Sequence, residues 1–270
     1  MREVDIKVFL VSKPQPQEMN VRRWLDAIGA DKFDVDKYAT SGELLVQLAG
    51  KRCYMSFQPG LNPNIARVRK DMAEFIENIL KVGHGSVIEH ANYTFAVENV
   101  SRVFTGEMNR HRAGMAISEG SMRFIRFTDI PFWKPTSLQV HDTDSDAIKI
   151  KKQLTWEIFG NVLAEVEGAY RDLERIWKDE LAPTSTFAQK KQLTSMFRRI
   201  VPMGVATGGV WTGNLRALRH IFTMRCAPAA EEEILLVASL MLEEMIKAEP
   251  LFFADFEKVN EYWQPKYWKV

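Results

Sequence analysis

Asn109-Arg110-His111-Arg112-Ala113-Gly114-Met115-Ala116-Ile117-Ser118-Glu119-Gly120-Ser121-Met122-Arg123-Phe124 is the stretch from which the rest of this chain is best read. Ser101 is placed to cap a short helix over residues 101–112, so Arg110, His111 and Arg112 fall at its end, where cations complement the helix dipole. That reading accounts for the triplet but leaves the loop after it, AGMAISEGS, unexplained. Glycine lets backbone approach a ligand closely, serine supplies hydroxyls and glutamate a carboxylate. Guanidinium forks match phosphate oxygens, so triplet and loop together read as a site for a phosphorylated ligand. A strand is predicted to follow at residues 122–127.

Two other segments gather polar groups. Gly83-His84-Gly85-Ser86-Val87-Ile88-Glu89-His90 sits between a predicted helix and a predicted strand. Its plain reading is a capping glycine followed by a polar turn. As metal ligands, His84, Glu89 and His90 lack the HExxH spacing that puts two histidines on one helical face. The later segment runs from Arg198-Arg199-Ile200-Val201-Pro202 through Trp211-Thr212 to Asn214-Leu215-Arg216-Ala217-Leu218-Arg219-His220 and Met224-Arg225. Taken alone, a helix with arginines among Ile and Leu is usually no more than amphipathic.

Around these segments the patterning is mixed. Residues 5–11 (DIKVFLV) read as a strand, with KPQPQ as the loop after it. Ile65, Val68, Met72, Phe75, Ile76 and Ile79 fall at helical spacing, with Asn64 as the expected cap and Gly83 as the stop. Tyr93, Phe95 and Val97 alternate as one face of a half-buried strand over residues 92–98. Residues 142–145 form a polar turn. A long helix is expected over residues 145–180, with Ile148, Leu154, Ile158, Val162, Val166, Tyr170, Leu173 and Trp177 as its apolar stripe. Further helices are expected over residues 186–200, 214–226 and 231–247. With no internal repeat and no linker, residues 1–270 read as a single α+β domain, strand-rich in its N-terminal half and helical in its C-terminal half.

Composition narrows the classes. The 270 residues carry 36 Lys and Arg against 35 Asp and Glu, a net charge of +1 that gives no global field for nucleic acid or an anionic membrane. Any anion site is therefore built locally. The 2 cysteines, Cys53 and Cys226, are too far apart in sequence for a CxxC motif, which argues against a disulfide framework or structural zinc. No signal core or membrane-length apolar run is present, so a cytoplasmic location is expected.

Together the three segments resemble the flavin-dependent thymidylate synthase family over residues 50–255. Arg110-His111-Arg112 followed by Glu119-Gly120-Ser121-Met122-Arg123-Phe124 matches its Arg-His-Arg signature and the Glu-x-Ser-x-Arg-aromatic ending of the loop. GHGSVIEH matches its His-x-Ser/Thr-x-x-Glu-His element. The arginine, proline and Asn-x-Arg elements after residue 198 keep the family's order. Two features depart from the pattern: the loop from Arg112 to Glu119 is one residue longer, with Ser118 where asparagine is usual, and Glu107 stands where glutamine is usual.

The resemblance implies a thymidylate synthase-complementing-protein-like fold with a mixed or antiparallel sheet, and reductive methylation of dUMP at C5. FAD is the implied hydride carrier, NADPH the reductant and methylenetetrahydrofolate the one-carbon donor. No cysteine nucleophile is implied. By resemblance His84, Ser86, Glu89, Arg110, His111, Arg112, Asn214, Arg216 and His220 line the flavin site. Glu107, Arg110, Glu119, Gly120, Ser121, Arg123, Arg198 and Arg225 fall at nucleotide positions, with Arg225 polarising the uracil carbonyl and Ser121 positioning the nucleotide. A homotetramer with shared active sites is implied, without nucleic-acid or membrane partners. Three alternatives stay open: a C5 methylase or hydroxymethylase of another pyrimidine nucleotide, a non-catalytic nucleotide-binding protein, and a metal-dependent hydrolase using His84, His90 and His111.

Overall fold

The alternation of Asn92–Glu98 is realised in β3 (Asn92–Ser101), whose Tyr93, Phe95 and Val97 are fully buried. The computed structural model describes residues 2–35, 37–65, 67–69 and 71–270. Its other strands are β1 (Arg2–Val4), β2 (Lys7–Ser12), β4 (Met115–Glu119), β5 (Pro131–Trp133), β6 (Ala206–Asn214), β7 (Phe256–Val259) and β8 (Tyr262–Pro265). A four-stranded sheet has the order β2-β3-β6-β4, β1 pairs parallel with β5, and β7 pairs antiparallel with β8. The helices are α1 (Glu18–Ala27), α2 (Ser41–Tyr54), α3 (Met72–Val82), α4 (Gly85–Ile88), α5 (Arg102–Met108), α6 (Asp146–Ile176), α7 (Phe187–Phe197), α8 (Leu215–Arg225), α9 (Glu232–Ala248) and α10 (Pro250–Phe253). The α+β class therefore holds.

The chain divides into two compact units, each drawn from three stretches. The first comprises Met1–Lys7, Val97–Arg110 and Ser118–Val210. Its core gathers Met122, Phe127 and Ile130 with Leu163 and Tyr170 of α6, Phe197 and Val205. The second comprises Val8–Ala96, His111–Ile117 and Trp211–Val270. One of its cores joins Leu25 of α1 to Phe33, Val35, Phe57 and the α2 residues Leu44 and Leu48.

Several expectations are corrected. The helix expected from Asn64 begins at Met72, because Asp71 accepts from Glu74 N at 2.8 Å and takes the capping role. Asn64 instead donates its N–H to Asn62 Oδ1 at 2.9 Å, in a turn. Ala66 and Lys70, within that expected helix, lie outside the described residues. Ser101 does cap α5, accepting from Val103 N and Phe104 N, but the helix stops at Met108. The Arg110-His111-Arg112 triplet is thus beyond the helix and not on its last turn.

Strand and loop are exchanged just downstream. β4 lies inside the expected loop, at the edge of the sheet, with Met115, Ile117 and Glu119 half-buried between exposed neighbours. The small Ala116 and Ser118 on its outer face hid that alternation. Residues 122–127 form no strand: Met122 and Phe127 turn into the core of the first unit, while Phe124 and Ile125 are exposed.

The long helix is present as α6, but its expected stripe divides. Tyr170 is buried and Val166, Leu173 and Trp177 pack against the core of the first unit, whereas Ile148, Leu154, Ile158 and Val162 are 40–60% exposed. The sequence reading also passed over α2, whose cap is Thr40, and over β6, a long strand interrupted by Gly208, Gly209 and Gly213.

Candidate functional site

In the second unit, the site is organised by the start of α8. Asn214 caps that helix, its Oδ1 accepting from Ala217 N at 2.8 Å. Its own N–H donates to Gly114 O at 3.0 Å, and the next N–H, of Leu215, donates to Ala91 O at 2.8 Å. These bonds hold the helix start against the loop after the Arg-His-Arg triplet and against the end of the GHGSVIEH segment. Gly114 has φ 72°, and a Cβ there would lie 2.5 Å from the Asn214 amide nitrogen, so that contact requires glycine.

Arg216 and His220 are four residues apart and share a face of α8. Arg216 Nη1 pairs with Glu89 Oε1 at 2.7 Å, and its Nε packs over Gly85 so closely that a Cβ there would lie 2.5 Å away. At the helix end, Arg225 Nε donates to His111 Nε2 at 2.9 Å. The His111 and His220 rings meet edge to face, with centroids 6.0 Å apart.

These residues border two depressions. His84 and Ser86 line a cavity of about 610 Å³, Glu89, Asn214 and His220 one of about 400 Å³, and Arg216 lines both. Exposed Arg112 lies beside Ala113 and Gly114, which line the smaller one. Eight of the nine residues expected at the flavin site therefore belong to the second unit, and the ninth, Arg110, to the first.

In the first unit, Glu107 and Arg110 pair at 3.0 Å. Glu119 is held by Arg102 and by Asn109 Nδ2, the latter at 3.1 Å. Gly120 N donates to Gly208 O at 2.8 Å, and a Cβ on Gly120 would meet the Thr207 hydroxyl at 2.6 Å. Ser121 Oγ accepts from Arg123 N at 3.4 Å inside a turn; among the described residues no histidine, lysine or carboxylate bonds to it, which suits positioning and not nucleophilic attack.

Arg123 lines a groove of about 590 Å³ with Lys191, Ser195 and Arg199, and its Nε is buried without a hydrogen bond. Arg198, the expected partner, is elsewhere: burial and the nearby Arg198 charge together pull the Arg102 guanidinium below its ordinary value. The reason is local. Arg198–Ile200 is a 3-10 turn, in which consecutive side chains point about 120° apart, so Arg198 and Arg199 diverge. Arg102, Arg199 and Lys191 were missed; the doubled arginine before Ile200 was the available signal. Among the described residues no group of three His, Cys, Asp or Glu side chains is arranged to hold a metal, and no helix is long and apolar enough to cross a membrane.

The chain matches the family model described as thymidylate synthase complementing protein over residues 35–251. It belongs to the flavin-dependent thymidylate synthase family. A flavin-dependent thymidylate synthase of Corynebacterium diphtheriae is 33% identical over 83% of this chain and 83% of its own length. That of Mycobacterium sp. strain JLS is 31% identical over 81% of this chain and 82% of its own length. Among solved structures, the UMP/dUMP methylase PolB of Streptomyces cacaoi bound with 5-Br UMP superposes with a TM-score of 0.62, covering 94% of each chain at 17% identity, a likeness of fold. This family member is an enzyme of the methyltransferase type.

Proposed function

We propose that this family member converts dUMP to dTMP by reductive methylation at C5, drawing the one-carbon unit from methylenetetrahydrofolate and electrons from NADPH through FAD. The observation that carries the reading is the cluster around α8, where Arg216, His220, His111 and Arg225 converge from separate parts of the chain. Such a donor set suits an anionic, hydroxyl-rich dinucleotide better than a metal. Bound FAD would supply the hydride chemistry, leaving the protein to bind, orient and supply electrostatics.

Each group then has a task. Arg112, Arg216 and Arg110 would meet the cofactor phosphates, and Asn214, Ser86, His84 and Glu89 its hydroxyls and amines. His111 would turn its ring toward the cofactor, with His220 packed beside it. Arg123 would hold the nucleotide phosphate, with its buried Nε awaiting an acceptor, and Arg198 would add positive potential. Glu119, Gly120, Ser121 and Glu107 would fix the nucleotide's remaining polar groups. Arg225 would lend a donor to the uracil carbonyl as negative charge builds on the ring.

The same reading takes residues 1–270 as one functional domain and the protein as cytoplasmic, without nucleic-acid or membrane partners. It also takes the protein as a homotetramer with shared active sites, supported by the exposed apolar stripe of α6. The test is an absorbance spectrum of the purified protein, followed by tritium release from 5-tritiated dUMP with folate, FAD and NADPH. Flavin absorbance with tritium release is expected. A colourless protein that cannot be reconstituted, or one that releases no tritium, overturns the proposal. Mass spectrometry of the product separates methyl from hydroxymethyl transfer.

A further inference from the structure

The larger cavity of the second unit continues well past the residues expected to hold flavin. Beyond His84, Ser86 and Arg216 it is lined by Lys51, Arg67 and Arg69, with Phe75, Ile79 and Tyr54 as its apolar wall. Among the described residues no acidic side chain lines it, in a chain whose net charge is only +1. Gly50 lies beneath the Phe75 ring, where a Cβ would come within 2.8 Å of it, so the aromatic wall depends on that glycine.

The cations are crowded and incompletely neutralised. Arg67 and Arg69 share one carboxylate oxygen, Glu74 Oε1, at 2.9 and 3.5 Å. Arg69 Nε is buried without a hydrogen bond. Lys51 donates to Ser56 O and Arg69 O, both neutral carbonyls, and its ammonium is pushed down to about 8 by burial and by Lys37 and Arg69. Positive charge gathered at this cost, beside an apolar wall, is suited to an anionic aromatic ligand.

We propose that Arg67, Arg69 and Lys51 form a second anion subsite, which takes the multiply charged end of an aromatic co-substrate bound alongside the flavin. The inference rests on the flavin reading above. Two ligands share this chemistry: a dinucleotide reductant with a ribose 2′-phosphate, and a folate with several γ-glutamyl carboxylates.

The flavin-loaded full-length protein is titrated calorimetrically with adenosine 2′,5′-bisphosphate against adenosine 5′-monophosphate, and with triglutamyl against monoglutamyl folate. In at least one pair the more anionic ligand is expected to bind about tenfold tighter. The pair that discriminates identifies the source. R67Q/R69Q should abolish the preference; the two side chains are 76% and 40% exposed, and a Tm close to that of wild type is the check that the fold is kept. Glu74→Gln, which frees both guanidinia, should strengthen it. Cys53 lines the same cavity and is exposed while Cys226 is buried, so the preferred ligand should also slow reaction of Cys53 with a thiol reagent. No discrimination in either pair, a preference that survives R67Q/R69Q, or an unprotected Cys53 overturns the inference. Flavin absorbance of the same samples is read separately. Loss of preference with flavin retained refutes this subsite alone, and anion preference in a protein that cannot take flavin refutes the flavin reading alone.

Discussion

Arg225 shows how much one side chain's partner changes its reading. It donates to His111 Nε2, so under the proposed function removing it deletes a nucleotide donor and also loosens a cofactor group. Arg225→Ala is expected to lower kcat by about 10² to 10³ and to weaken flavin retention, whereas Arg198→Ala should mainly raise KM for dUMP. Steady-state kinetics with flavin occupancy checks both, and reversed effects would exchange the roles. Glu107 is the other telling residue. It occupies Arg110 at 3.0 Å, so Glu107→Gln should release that guanidinium and tighten dUMP about tenfold. Unchanged affinity would place Glu107 away from the phosphate.

Buried Glu249 makes a prediction about pH. It accepts from the Thr40 hydroxyl, and burial raises its carboxyl above the ordinary 4.5, with Glu43 adding to the rise. A carboxyl with a raised folded-state value stabilises the fold while protonated and loses that contribution as pH climbs through the raised value. Wild type should therefore lose Tm relative to Glu249→Gln as pH rises above 4.5. Parallel melting curves across that range would refute it.

Among elements, α8 is the one on which the residues proposed to hold the cofactor depend. Asn214→Ala removes its cap, at a cost of about 1 kcal/mol and a Tm lower by ~2–4 °C. Because Arg216 and His220 ride on that helix, flavin affinity should fall in step; a lower Tm with unchanged flavin affinity would separate the two. The helix was legible in the sequence because its signals are local: Asn214 at the start, apolar spacing after it. The capping of α5 by Ser101 was legible for the same reason. β4 and β6 were not, because their strand character comes from pairing with each other and with β3, and β6 is rich in glycine. Within the candidate site, sequence supplied the residue set through resemblance. It could not supply the Arg225–His111 bond, which joins residues 114 apart, nor the divergence of Arg198 from Arg199.

At the scale of the whole molecule, α6 carries the clearest consequence. Ile150, Leu154, Ile158 and Val162 recur every four residues on a helix and are each at least half exposed. If this stripe joins subunits, Leu154→Glu with Ile158→Glu should shift the protein to a smaller species in size-exclusion chromatography with light scattering, while its circular dichroism stays unchanged. An unaltered assembly would remove α6 from the interface. Turnover measured on the smaller species would then report whether the active sites are shared.

The three-stretch construction of each unit bears on how the chain is made. The first unit needs Met1–Lys7, whose β1 pairs with β5, and ends at Val210; the second closes only with Trp211–Val270. On the ribosome the leading residues must therefore wait, unpaired, until Pro131–Trp133 has emerged. The second unit cannot finish until α8, α9 and the β7–β8 hairpin have been made, after the last stretch of the first unit. Nascent chains long enough for Val210 to have just cleared the exit tunnel should resist protease over the first unit's stretches while remaining open to cleavage throughout Val8–Ala96.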